Sequence, residues 1–98
     1  MTFEQFTNEC VLRGLDKKIE EICRAHGVLP LEIFERTKKN SIHHARVTVW
    51  VWLIDECHKS PQEVADLFDR NRETVAYAAD RWRLRFAKSE LVSLAKTR

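Results

Sequence analysis

The stretch Val47-Thr-Val-Trp-Val-Trp-Leu-Ile54 decides the fold class of this 98-residue chain, because two patterns conflict in it. β-Branched and aromatic residues alternate, as they do in a strand. No second stretch has the strand character needed to pair with it, and an isolated strand would leave backbone donors and acceptors unsatisfied. The stretch is therefore interpreted as part of a buried central helix, from about His44 to His58, with other helices on nearly all sides. The predicted fold is all-α.

The residues that follow predict two helices joined by a tight turn. Ser60-Pro-Gln-Glu63 is a start signal, since the Ser hydroxyl can accept from the Glu backbone amide and Pro suits the first helical position. The first helix runs from Pro61 to about Phe68, and the polar residues 69–71 form the turn. Apolar residues at helical spacing predict a second helix from Arg72 to Lys88.

The N-terminal part of the chain predicts more amphipathic helix. Apolar residues recur every three or four positions from Phe3 to His26, which indicates one or two helices with Gly14 as a possible break. Gly27 suits the left-handed end of a helix, and a short helix follows at Leu31–Arg36. The chain is thus a compact helical bundle forming a single domain, 1–98, with an N-terminal helical extension at 1–18.

Composition narrows the classes of protein that the chain can belong to. Hydrophobic residues make up 44% and charged residues 33%, with two Gly and two Pro, which is typical of a soluble, helix-rich domain. At this length a motor or a large catalytic barrel is excluded. Three cysteines and no apolar signal segment indicate a reducing, cytoplasmic setting, and the longest apolar stretch is too short to cross a membrane.

Charge is unevenly distributed. Residues 1–35 carry four basic and seven acidic side chains, a net −3, whereas residues 36–98 carry thirteen basic and eight acidic ones, a net +5. The segment Arg36–Arg46 has four fixed positive charges and no acid, and is interpreted as a basic loop leading into a helix. Such a run is most often solvated surface, but it also suits the phosphates of a nucleic acid.

The predicted order of an eight-residue helix, a three-residue turn and a longer helix matches the helix-turn-helix motif. The second helix of this motif enters the major groove of DNA. The residues that would approach base edges all form hydrogen bonds: Arg70, Asn71, Arg72, Glu73 and Thr74. Arg suits guanine, Asn suits adenine, and Glu can accept from cytosine. On spacing alone, a packed helix pair without any DNA role is equally compatible.

Three segments of the chain also resemble the C-terminal DNA-binding domain of DnaA, the bacterial replication initiator. They are Arg36-Thr-Lys-Lys-Asn-Ser-Ile-His-His-Ala-Arg-Val47, Ser60-Pro-Gln-Glu-Val64 and Arg70-Asn-Arg-Glu-Thr-Val75. In that family the last two segments read Ser-Leu-Pro-Glu-Ile and Arg-Asp-His-Thr-Thr-Val. The DnaA-like region is 19–88, of which the resemblance covers about 19–86. The resemblance implies that the protein is bacterial or phage-encoded and associated with the nucleoid.

The resemblance implies a role for each matching residue. Asn71, Arg72 and Glu73 stand where the family reads bases, and Thr74 and Tyr77 where it holds phosphates. In the basic loop, Lys38 stands at a minor-groove position, and Arg36, His44 and Arg46 also lie at basic positions of the family. Lys39 of the same loop is a further candidate DNA contact. Because Asn-Arg-Glu replaces Asp-His-Thr, the family's target sequence is not transferred, and without a nucleotide-binding domain replication initiation is not implied.

Other chemistries are weaker interpretations. His43-His44 and Cys57-His58 match no standard metal-site spacing, and no catalytic arrangement or phosphate-binding glycine loop stands out, so we expect no enzyme, metal, cofactor or small-molecule substrate. The three tryptophans are interpreted as core rather than as stacking platforms. The apolar N-terminal residues Phe3, Phe6 and Cys10 either complete the core, which is favoured, or bind a second copy or a protein partner.

The expected function is therefore sequence-preferring binding of double-stranded DNA through a helix-turn-helix, as a small regulator of transcription or replication. The alternative is a protein-interaction adaptor on the same scaffold, with no specific DNA site.

Overall fold

The computed structural model describes residues 2–37 and 39–96, with side chains described as far as Leu84. Within these residues there are six helices and no strand, so the all-α prediction is confirmed. The helices are α1 (Phe3–Leu12), α2 (Asp16–His26), α3 (Pro30–Phe34), α4 (Asn40–Asp55), α5 (Pro61–Phe68) and α6 (Arg72–Lys96).

The central helix is α4, which packs against α2, α3, α5 and α6. Its buried residues recur at the spacing of a helix face: Ile42, Ala45, Arg46, Val49, Trp50 and Leu53, with Val47 buried beside them. Val51, Trp52 and Ile54 on the other sides are half-buried against the core. The strand-like alternation of this segment therefore arises because a surrounded helix is apolar on most of its faces. No helix in the described residues combines the length and apolar character needed to cross a membrane.

The N-terminal helix α1 folds back onto the rest of the chain. The ring of Phe6 lies 5.0 Å from that of Phe34 and 4.9 Å from that of Phe68, centroid to centroid, and its side chain is 2% exposed. Cys10 is buried in the same core. The interpretation that these apolar residues complete the core of the monomer is therefore confirmed. The chain reverses between α1 and α2 at Gly14, whose φ of +68° is left-handed.

Helices α5 and α6 meet at a turn with a defined backbone. Ser60 caps α5 as predicted, its Oγ accepting from the Glu63 amide at 3.1 Å. The helix ends at Phe68, and Asp69 adopts the left-handed conformation, with φ at 54°. The Arg70 amide then donates to the Ala65 carbonyl at 2.8 Å, the closing bond of a Schellman motif. The predicted bounds of α5 and its three-residue turn are confirmed.

The bounds of α3, α4 and α6 differ from the predicted ones. Helix α4 begins at Asn40 rather than near His44, because Ile42 falls on the buried face and extends the helix backwards, and it ends at Asp55 rather than near His58. The basic segment is thus helical from Asn40 onward. The short helix α3 is Pro30–Phe34 rather than Leu31–Arg36. Helix α6 continues to Lys96 instead of ending at Lys88, since no Gly or Pro interrupts it.

Candidate nucleic-acid interface

The start of α6 presents a polar cluster to solvent. Asn71, Arg72, Glu73 and Thr74 are all exposed, whereas Val75 directly after them is buried. The Oδ1 of Asn71 accepts from the Glu73 amide at 2.8 Å and so caps the helix, which leaves the two donors of its side-chain amide for other partners. The cluster can therefore donate and accept hydrogen bonds while the helix beneath it is held by the core.

One turn further along α6, Tyr77 is 63% exposed and is oriented by a neighbour. Its hydroxyl accepts from Nη1 of Arg81 at 2.8 Å, and the Arg81 guanidinium lies 5.6 Å from the ring centroid. Tyr77 and Arg81 thus form one unit, a phenol beside a cation. Such a unit can contact a phosphate with both a hydroxyl and a positive charge.

Arg46, predicted to contact DNA, is instead buried, with 5% of its surface exposed. Its Nε donates to the carbonyl of Ile33 at 2.7 Å, and its Nη2 donates to those of Glu35 at 2.6 Å and Thr37 at 3.0 Å. These carbonyls lie at the end of α3 and in the segment after it. Arg46 therefore positions the segment that precedes α4, and its exposed surface is too small for it to be a principal DNA contact.

Arg70 and Arg36 join this same segment to the turn between α5 and α6. Arg70 donates to the carbonyl of Phe34 at 3.1 Å and to that of Glu35 at 2.7 Å. In the opposite direction, Nη2 of Arg36 donates to the Asp69 carbonyl at 3.1 Å. The segment before α4 and the start of α6, which are distant in sequence, are thus held as neighbours by arginine–carbonyl hydrogen bonds.

Arg46 and Arg70 remain charged at neutral pH. Burial, together with the nearby charge of Arg70, lowers the pKa of Arg46 to about 10. Burial and then the charge of Arg36 also lower the pKa of Arg70, an effect that Asp69 partly opposes. Carbonyl oxygens are neutral acceptors, so the hydrogen bonds orient the guanidinium groups without cancelling their charge. The region is therefore electropositive.

The two predicted parts of the site come together in one cleft of about 620 Å³. Arg36 and Arg46 from the basic segment line it together with Arg70, Asn71 and Thr74 from the turn and α6. Of the other predicted site residues, Lys39, His44, Arg72, Glu73 and Tyr77 are exposed outside the cleft, and Lys38 lies outside the described residues.

Four residues of the cleft were absent from the predicted site, namely Thr37, Asn40, His43 and Trp50. Asn40 and His43 belong to the first turn of α4, which the sequence interpretation placed in a loop. Partial burial, followed by the charge of Arg46, lowers the pKa of His43, so its ring is mainly neutral at pH 7. Trp50 lies one turn after Arg46 in both the predicted and the observed helix, so the helix period places it beside Arg46, but it was interpreted as a core residue only.

The charge of Arg83 is less available to a nucleic acid than the charges of the cleft arginines. Arg83 is paired with Asp55, Nη2 to Oδ1 at 2.7 Å, and with Asp80, Nη1 to Oδ1 at 3.0 Å. Its charge is therefore largely compensated. Among the described side chains, no group of three or more His, Cys, Asp or Glu residues is arranged to hold a metal ion.

Comparison with known proteins gives no relative for this chain: no family model, no curated protein and no solved structure matches it.

Proposed function

We propose that this protein binds double-stranded DNA, with the start of α6 in the major groove and the basic segment before α4 against the phosphate backbone. The observation that carries the proposal is the exposed polar cluster Asn71–Thr74, which lies directly beside the arginine-lined cleft. Readout of bases needs exposed donors and acceptors on a rigid element, and backbone contact needs adjacent positive charge. Both are present at the same end of α6.

Each residue then has a role in the proposed complex. Arg72 and Glu73 reach base edges, with Arg72 suited to the two acceptors of guanine. Thr74 and the Tyr77–Arg81 pair contact phosphates on one strand, and Lys39 and His44 contact phosphates beside the basic segment. Arg46 and Arg70 act as positioning residues, because they set the distance between the two contact regions through their carbonyl bonds.

The resemblance to the DnaA C-terminal domain supports the same interface, since two of the three matching segments, 36–47 and 70–75, line the cleft. A protein with this interface would act by occupying its DNA site. We therefore propose a small regulator of transcription or replication that competes for DNA sites in the bacterial or phage-infected cell.

A protein-interaction adaptor is the second candidate function. The observation in its favour is the pair Val11 and Leu12 at the end of α1, which are 57% and 80% exposed. The two candidates differ in salt dependence, because DNA binding releases counterions and weakens steeply as salt rises. An adaptor that binds through an apolar pair would not show this dependence.

Selection of bound duplexes from a random pool tests the proposed function, followed by affinity measurements on the enriched duplex. Arg72→Ala should weaken binding by about 1 to 3 kcal/mol, as expected for loss of an arginine–guanine contact. Arg24→Ala removes an exposed charge from α2, away from the cleft, and is the matched control. Recovery of no enriched motif, or equal losses for the two variants, would refute sequence-specific binding through α6.

A further inference from the structure

The cleft between the starts of α4 and α6 has the chemistry of an anion site. Its charged lining residues are Arg36, Arg46 and Arg70, and among the described side chains no Asp or Glu lines it. The remaining lining groups are hydroxyls, amides, an imidazole and an indole. A volume of about 620 Å³ is in the usual range for small-ligand sites, roughly 300 to 1,000 Å³. Positive charge without a carboxylate favours an anionic occupant.

Two helix N-termini face the same cleft. Asn40 and His43 come from the first turn of α4, and Asn71 and Thr74 from the start of α6. The α4 N-terminus has no side-chain cap and no acid in its first turn, so its first backbone N–H groups are not satisfied by a side chain. The partial positive charge at the start of each helix adds to that of the arginines.

Donors without an acceptor are also present. Among the described residues, Nη1 of Arg46 and Nε of Arg70 make no hydrogen bond, although both guanidinium groups are otherwise held in place. Trp50, which is 2% exposed and lines the cleft, has a buried indole N–H with no partner in the described part of the chain. A buried donor left unpaired costs about 1 to 3 kcal/mol, which an entering acceptor can recover.

We propose that this cleft binds a phosphate group. A phosphate oxygen accepts from the spare arginine donors and from the first backbone amides of α4, and its charge offsets the repulsion among the three guanidinium groups. The group can come from free phosphate or from the DNA backbone. The proposal stands apart from DNA recognition, because inorganic phosphate alone can test it.

The test is a titration of the whole protein with inorganic phosphate, monitored by tryptophan fluorescence. Chloride salt keeps the ionic strength constant during the titration. Asn40→Asp places a negative charge on the cleft, and Ser41→Asp places the same charge on the exposed neighbouring position of the same helix turn, outside the cleft. Acidic residues favour the first turn of a helix, so both variants should remain folded. We expect a saturable response that Ser41→Asp retains and that Asn40→Asp weakens at least about fivefold.

A response that does not saturate and is equal in both variants would overturn the proposal. It would be the general effect of phosphate, which is excluded from the surface of proteins, and not binding in the cleft. Equal weakening in the two variants would overturn it as well. A second titration identifies the source of the group. If saturating phosphate weakens duplex binding beyond the matched chloride control, the cleft holds a backbone phosphate of the DNA; if it does not, the ligand is free phosphate. Both of these results support the site, and failure of DNA binding leaves the first titration intact.

Discussion

Replacement of Arg46 by Met tests whether this residue positions the basic segment. Methionine keeps much of the length and apolar stem of arginine but removes the donors to the carbonyls of Ile33, Glu35 and Thr37. Each carbonyl left without its partner costs about 1 to 3 kcal/mol. Part of this loss is offset, because a guanidinium no longer has to be removed from water, which costs several kcal/mol per ion.

The net expectation for Arg46→Met is a decrease of about 2 to 4 kcal/mol in the free energy of unfolding. The assay is urea unfolding monitored by circular dichroism. Arg24→Met is the control, since the Arg24 side chain is exposed and its loss should lower the free energy of unfolding by less than about 0.5 kcal/mol. Hydrogen exchange of the amides at residues 35–37 should accelerate in Arg46→Met. A decrease below about 1 kcal/mol, or one equal to that of the control, would refute the positioning role.

Two further predictions concern the core. Phe6→Ala should lower the free energy of unfolding, measured in urea, by about 3 to 5 kcal/mol, because Phe6 packs between other rings. Leu12→Ala, on the exposed side of α1, is the control and should change it by less than about 0.5 kcal/mol. Equally small effects of the two substitutions would contradict the packing of α1 onto the core. Burial raises the pKa of the Cys10 and Cys23 thiols to about 11 from 9.0. Because the unfolded thiols ionise first, the free energy of unfolding should fall by about 2 kcal/mol per thiol as the pH rises from 9 to 11. In urea unfolding, Cys23→Ala should show a smaller fall over this pH range, and a fall equal to that of the unchanged protein would contradict the prediction.

Local signals in the sequence were sufficient for the helix class and for α5. The Ser60 hydroxyl, Pro61 and the polar turn act within a few residues of each other, so the bounds of α5 follow from short-range chemistry. The stretch 47–54 was harder, because its residue types favour a strand. Only the absence of a pairing partner, which is a property of the whole chain, indicated a helix.

The long-range contacts of the site could not be predicted from sequence. Arginine is most often an exposed residue, and nothing near Arg46 in the sequence indicates that it donates to four backbone carbonyls up to fourteen residues away. For the same reason the link between Arg70 and the end of α3, which spans more than thirty residues, appears only in three dimensions. The missed helical turn at Asn40 removed His43 from the predicted site, and Trp50 was left out because it was interpreted as a core residue.

The most direct measurement of the central claim is an amide-resolved nuclear magnetic resonance titration with a duplex of the selected sequence. If the start of α6 enters the major groove, the largest shifts will fall at residues 70–77, with a second set at residues 39–44 and little change in α1 and α2. Shifts concentrated on α1 and α2, or none at saturating duplex, would contradict the account.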